Sequence, residues 1–449
     1  MKILKDKDFE FVHEGIVPCL KVVSHEANAE FISMVPSKID RVAEDLHIGQ
    51  MFTRAIGNGK TTDDYKYRKK KMFTLLHLGR LHEYIPMIVE SLDISTKDFK
   101  AEEPDIECIY FIFKTALRVF HQIMFGSDTS HYFDKEMPFI NTNDQTEMIP
   151  FNDFVIKMVE SFLAQFLNPF TFALPIVNRR KLCNPFKRNQ VNLETFKKCM
   201  IEAIQFSKDE KSISYILKND KAINKEDMID DLIGTMLAGN DTSAHLFCAV
   251  IYYCSKYPRT LEKLREELRQ HGFDENTNLN QACTKTAISS MNYLNYVVKE
   301  AARLDPPTSD SLAYSPSEDI TICGVPIPKG QYMRISTYTM NHSMKDYEKP
   351  NEFIPERFDP ESEHFIAPGR KDNKRSPYSW VPFAHGMRGC PGQPFAMMQV
   401  KVMVLYLLSR YEIIIDQNLL KDKSVSFNIV ANVTMNAKFI KKSGSLLSS

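Results

Sequence analysis

Along most of the chain, apolar residues recur every three or four positions, the period of a helix that buries one face. The longest case is EDMIDDLIGTMLAGNDTSAHLFCAVIYYCSK, Glu226 to Lys256. There Ile229, Leu232, Ile233, Met236 and Leu237 share a face, Phe247, Val250, Ile251 and Cys254 resume it, and Pro258 closes it. At about 1.5 Å per residue such a helix is roughly 45 Å long, enough to cross a domain. A second, SSMNYLNYVVKEAARL, stops at Asp305-Pro306-Pro307, because proline does not continue a helix. A third, about Gln393 to Arg410, spaces Phe395, Met398, Val402, Leu405 and Leu408 for burial.

Two regions depart from that period. Residues 10 to 35 contain short apolar runs such as GIVPCLKVV, which predict strands. Residues 318 to 340, EDITICGVPIPKGQYMRISTYTM, hold short β-like stretches broken by Gly324, Pro326, Pro328 and Gly330. A polar loop then runs from NEFIPERFDPESEH to Trp380. The pattern predicts a mainly α fold with a minor β portion.

Composition narrows the function classes. Lys plus Arg and Asp plus Glu are 57 each among 449 residues, so no global charge favours nucleic acid. Length alone suggests about three domains, yet the chain shows no repeat, low-complexity tract or Gly-Ser linker. The nine cysteines include no C-x-x-C pair, which argues against zinc sites and a disulfide framework and for a reducing, intracellular setting. The start, MKILKDKDFEFVHEG, is too charged for a signal peptide or anchor. One uncharged run, Ser161 to Asn178, is interrupted by Gln165, Asn168, Pro169 and Pro175. It predicts a buried or membrane-grazing helix pair rather than a span.

The chemistry concentrates in PFAHGMRGCPGQPFA, residues 382 to 396. A lone cysteine is ordinarily a small buried hydrophobe. Cys390, however, has Gly386, Gly389 and Gly392 around it to permit a tight turn. A helix start just beyond supplies amides that favour a thiolate. Arg388 suits a carboxylate, and Phe383 is placed to shield the sulfur. One thiolate without a second protein ligand suits a macrocycle that already fills the metal's equatorial positions, that is, a haem.

Phe383, Gly386, Arg388, Cys390 and Gly392 match F-x-x-G-x-R-x-C-x-G, and here the chain resembles the cytochrome P-450 superfamily. Three more stretches follow in the family's order. Glu300-Ala301-Ala302-Arg303 is similar to its E-x-x-R, and Pro355-Glu356-Arg357-Phe358 to its P-E-R-F. The resemblance implies a buried network of Glu300, Arg303 and Arg357. Ala238-Gly239-Asn240-Asp241-Thr242 resembles A-G-x-D-T. Four poor helix formers in a row are either a weak patch that tertiary packing tolerates or a local opening with room for O₂ beside Ala238 and Gly239. There the resemblance implies that Thr242 hydrogen-bonds the dioxygen and Asp241 helps relay protons. Tyr65 and Lys69 stand at the family's tryptophan and arginine, implied donors to the haem propionates. Tyr314 stands where the family usually has a propionate-binding arginine.

By that resemblance the whole chain, 1–449, is expected to be one cytochrome P-450 domain: a β-rich and early helical part over 1–60, then a helical core with the haem site over 61–449. The cofactor implied is haem b (iron-protoporphyrin IX) with Cys390 as axial thiolate. The activity implied is insertion of one atom of O₂ into a lipophilic small molecule. Electrons would come from an NADPH-dependent flavoprotein reductase or small redox protein, since no G-x-G-x-x-G fingerprint is present. Lys66, Arg68, Lys69 and Lys70 offer a basic face to steer such a partner, though the KYRKKK run reads first as a solvated face. By family position, residues 41 to 60, Met236 to Thr242, Thr308 to Tyr314 and Asn428 to Val430 are expected to line the pocket. The family setting is the cytosolic side of the endoplasmic reticulum, with peripheral membrane contact. A haem-thiolate isomerase or dehydratase, and a non-catalytic haem-binding protein, stay open as alternatives.

Overall fold

A computed structural model describes residues 8–442, apart from 15–16, 43–53, 98, 100–104, 168–183, 423–424 and 430–432. Its axis is the helix Lys225–Lys256, capped by the Asn224 side chain on the Glu226 amide and ended at Tyr257 before Pro258. Against it pack Cys108–Phe125, Gln393–Arg410 and Asn292–Leu304. One core of Leu, Ile, Val, Phe and Met side chains joins all four helices. The helix Cys108–Phe125 is long and apolar enough to cross a membrane, and most of it is buried inside this core. The uncharged run from Ser161 falls largely outside the described residues.

The minor β portion is mainly a five-stranded sheet. Its order is Phe9–Glu14, Val17–Val22, Tyr332–Ile335, Tyr314–Pro316 and Ile39–Arg41. The strands expected within 10–35 are there, but His25–Ser33 folds as a helix, started by the Ser24 hydroxyl on the Ala27 amide. A second, smaller core of Phe9, Val22, Phe31, Ile39, Tyr314 and Met333 fixes this sheet. The sheet matters to the site because it carries Arg41 and Tyr314 as direct neighbours on adjacent strands.

Candidate haem-thiolate site

The cysteine loop is built by backbone that turns sharply. Ala384 and Gly386 adopt φ of 54° and 65°, the left-handed region that glycine tolerates best. A Cβ on Gly386 would lie 2.9 Å from Ile32 Cγ2. The Cys390 amide donates to Phe383 O at 2.8 Å, and Gly389 to Gly386 O at 3.0 Å. Trp380 ties the loop to the neighbouring helix through Nε1–H to Lys299 O, 3.0 Å, and its ring lies 5.8 Å from that of Phe383. Phe383 itself is half-buried.

Among the described cysteines only Cys390 is exposed. Burial nevertheless is the largest influence on its thiol and pushes it up, against the amides of Gly392 and Gln393 and the charge of Lys69. Both facts hold together if the sulfur borders an enclosed space rather than the outer surface. A thiolate there has the donors a helix start provides.

The expected Glu300 network is present in full. Arg303 spends all its N–H groups: on both Glu300 oxygens, at 2.7 and 2.9 Å, and on the carbonyls of Asn341, Pro350 and Glu352. Arg357 reaches the same carboxylate at 3.1 Å and Lys349 O at 2.8 Å. All three side chains are fully buried. Arg375 adds bonds to Arg357 O, His364 O and Asp346 O, which pins the polar loop.

Arg388 is different. Its Nη2 donates to Asp40 Oδ1 at 2.8 Å and Gly59 O at 2.7 Å, and its guanidinium lies 4.0 Å from the Tyr65 ring centroid. Its Nε and Nη1 are buried with no partner among the described residues. Beside it Arg41 stacks over the Tyr314 ring at 4.1 Å and donates to Leu312 O, while its own buried Nε has no partner. Burial and the nearby Arg388 charge hold the Arg41 guanidinium below its ordinary value. Asp40 stays ionised despite burial, through bonds from Thr61, Arg388 and the Arg41 amide. Two guanidiniums with one carboxylate and donors to spare fit a ligand bearing carboxylates. A haem carries a pair of them.

Arg41 escaped the sequence reading because only strand pairing reveals it: the register sets it opposite Tyr314, where an arginine was expected. Tyr65 and Lys69 go elsewhere. Tyr65 Oη donates to Met387 O at 3.3 Å, and Lys69 Nζ to the carbonyls of Met387 and Gly389 at 2.5 and 2.7 Å. Both therefore brace the cysteine loop. Burial and the Arg388 charge bring the Lys69 ammonium down to about 8.

The central helix corrects one expectation. It is not opened at 238–242 but runs unbroken. The side chains of Asn240, Thr242 and Ser243 instead donate to the carbonyls of Met236, Ala238 and Gly239, each four residues back. Gly239, expected beside the cofactor, is required by packing. A Cβ there would lie 2.4 Å from Phe120 Cζ. Ala238 is exposed and Thr242 half-exposed, although Leu237, Asn240 and Asp241 are buried. The pair, four apart, forms one open face on an otherwise buried helix.

The basic face is also corrected. Arg68 is buried and bonded to Asp64 and Asp231, Lys66 pairs with Asp63, and Lys71 with Asp220. Of the four expected cations only Lys70 is exposed without such a pairing. Of the expected pocket, 43–53 and Val430 lie outside the described residues, and Met236 is fully buried. The structure does bring 306–307 against 428–429, through Asn428 Nδ2 to Pro306 O and the Ile429 amide to Pro307 O.

Comparison with known proteins follows the same outline. The family model described as Cytochrome P450 matches residues 40–439. The chain is 27% identical over 361 residues to Cytochrome P450 3A2 of Rattus norvegicus, aligning 74% of this chain with 64% of that protein. It is 26% identical over 342 residues to Cytochrome P450 3A5 of Homo sapiens, again 74% against 64%. With Cytochrome P450 3A16 of Mus musculus it shares 26% over 421 residues, 89% against 77%. The match thus spans just under two thirds of the first two relatives. With the cysteine loop, the Glu300 network and a family match over nearly the whole chain in agreement, the chain belongs to the cytochrome P450 family.

Proposed function

We propose that the chain is a haem-thiolate monooxygenase that inserts one atom of O₂ into a lipophilic small molecule. A separate NADPH-dependent flavoprotein reductase or small redox protein would supply the electrons, and 1–449 would act as a single catalytic domain. The observation that carries this reading is Cys390, the exposed cysteine among those described, whose thiol meets the helix-start amides of Gly392 and Gln393. Bound there, haem b supplies the oxygen-activating chemistry, which a thiolate ligand favours.

The chain's own residues have separate tasks in this reading. Arg388 and Arg41 hold the propionates with their spare donors. Tyr65 and Lys69 hold the loop that holds the sulfur. Ala238 leaves room on the opposite face. Thr242 turns its hydroxyl from Ala238 O toward that space, and Asp241, buried beside it, holds the proton to be delivered. The setting would be the cytosolic side of the endoplasmic reticulum, with the protein resting against the membrane.

The test is the absorption spectrum of the purified, haem-loaded protein, reduced, with and without carbon monoxide. A strongly red-shifted Soret band, lost in Cys390→Ala, is the expected result. A band that stays unshifted, or that survives in Cys390→Ala, overturns the assignment of the thiolate. Turnover with a supplied reductase separates a monooxygenase from an isomerase.

A further inference from the structure

One buried titratable group next to the acid of the central helix has no part in the scheme above. His245 lies one turn after Asp241 and is buried. Its Nδ1 is 2.8 Å from Asp241 O and 3.2 Å from Asp241 Oδ1. The backbone carbonyl at 2.8 Å is an acceptor only, since it carries no proton. Nδ1 must therefore carry the hydrogen, and Nε2 is left as the nitrogen that takes up a further proton.

Two buried carboxylates act on this ring. Asp241 faces it from its own helix. Asp305, which ends the helix Asn292–Leu304, acts on it from a second element. Asp305 is itself buried and accepts from the Phe427 amide at 2.6 Å and the Ser426 hydroxyl at 2.7 Å. Glu160, exposed on the helix Phe151–Leu167, is near enough for its charge to interact with Asp241. A carboxylate as buried as Asp241 is costly unless a cation is paired with it.

We propose that His245 is the positioning residue of Asp241, and that the two form a pair sharing one transferable proton that Thr242 passes on. This rests on the monooxygenase reading. In the loaded pair the ring is an imidazolium and Asp241 a carboxylate. The Nδ1–H bond breaks as the Oδ1–H bond forms, which discharges both charges at once and leaves a neutral ring beside a carboxylic acid. A solvent proton recharges the pair for the next turnover. No such proton is stored once the pair has titrated, so product formed per electron falls as pH rises through that titration.

The direction of the ring's titration agrees. Burial favours the neutral form, but the bonds to Asp241 and its charge, with Asp305 behind them, outweigh burial and raise it above the ordinary histidine value.

The experiment has two arms, one independent of haem. In the first, the histidines are labelled at ¹³Cε1 and titrated by NMR in the whole chain, with His245→Gln identifying the signal. The His245 midpoint is expected to drop by at least one pH unit in Asp241→Asn. An unchanged midpoint overturns the pair, whatever becomes of the thiolate assignment. In the second, hydrogen peroxide released per reducing equivalent is measured against pH in the reductase-supported, haem-loaded protein. Wild type is expected to release several-fold more peroxide above the midpoint than below it. His245→Gln, which keeps a donor but does not titrate, is expected to release the high amount at every pH. A His245→Gln profile matching wild type, with the thiolate band intact, overturns the proposal. Loss of the thiolate band in wild type removes the monooxygenase reading, and the role in coupling with it.

Discussion

Two arginine clusters, one around Glu300 and one around Asp40, differ in one respect. Around Glu300 every donor of Arg303 is used within the protein, and the three side chains are fully buried. Around Asp40, Arg388 and Arg41 keep buried N–H groups that nothing accepts. A closed cluster is part of the fold. An open one costs free energy until a ligand completes it, because an unpaired buried donor loses its water without compensation. Chemistry of the same kind thus marks scaffold in one place and binding site in the other.

The comparison breaks most visibly at Glu300. Replacing it with Gln removes the charge from beneath two fully buried guanidiniums. Breaking a buried pair by removing one partner costs about 3–5 kcal/mol. The urea midpoint should fall accordingly, or the protein should accumulate only in inclusion bodies. A midpoint within experimental error of wild type would mean that this network is not closed in solution.

At the open cluster the expected response is the reverse. Arg41→Met removes a cation from beside a like charge, so the haem-free midpoint should move by less than about 1 kcal/mol. Arg388→Met also takes the cation from Asp40 and should cost more, though less than the loss at the fully buried Glu300. Haem retention, followed by transfer to apomyoglobin, should weaken about 10- to 100-fold per variant, since a hydrogen bond to a charged group contributes about 1.5–3 kcal/mol. Equal retention in both variants and wild type would show that the spare donors face something else.

What was legible beforehand follows the same division. The closed network could be read because its members sit in short contiguous motifs, E-x-x-R and P-E-R-F, whose spacing survives any fold. The helix Gln393–Arg410 could be read because its apolar spacing is regular over its whole length, and it falls where expected. Arg41 could not, since its proximity to Arg388 exists only through the pairing of Ile39–Arg41 with Tyr314–Pro316. The opening expected at 238–242 failed for a different reason. Weak helix formers were summed as if exposed, whereas packing against Cys108–Phe125 and bonds back to the preceding turn hold the helix there. In the basic run, Lys66 and Arg68 meet the neighbouring Asp63 and Asp64, but the pairing that buries Arg68 is with Asp231, which is distant in sequence.

The central helix repeats the contrast over four residues. Gly239 is on a closed side: a methyl group would meet three atoms of the Phe120 ring within 3.0 Å. That ring lies 5.1 Å from Phe395 and has little room to retreat. Gly239→Ala is therefore expected to cost about 1–3 kcal/mol as overpacking, even though alanine is the better helix former. A Tm equal to or above wild type would show that Phe120 moves freely.

Thr242 is on the open side, and the smallest change in stability belongs there. Its hydroxyl bonds Ala238 O, an arrangement that slightly weakens a helix, and its side chain borders free space rather than packed neighbours. Thr242→Ala removes a β-branched residue from a helix interior and leaves no cavity, so stability should rise by a few tenths of a kcal/mol. Function should respond far more strongly. If Thr242 relays the proton as proposed, loss of its hydroxyl breaks the path from Asp241, and electrons should leave as peroxide instead of product. Thr242→Ser restores the hydroxyl and should recover most of the coupling. If Thr242→Ala lowers stability by more than about 1 kcal/mol, the face is packed and not open. Unchanged coupling in a stable Thr242→Ala would instead remove Thr242 from the proton path. The two readouts divide the question that the arginine clusters pose: a residue that contributes little to the fold and much to turnover sits where the structure has left room for a ligand.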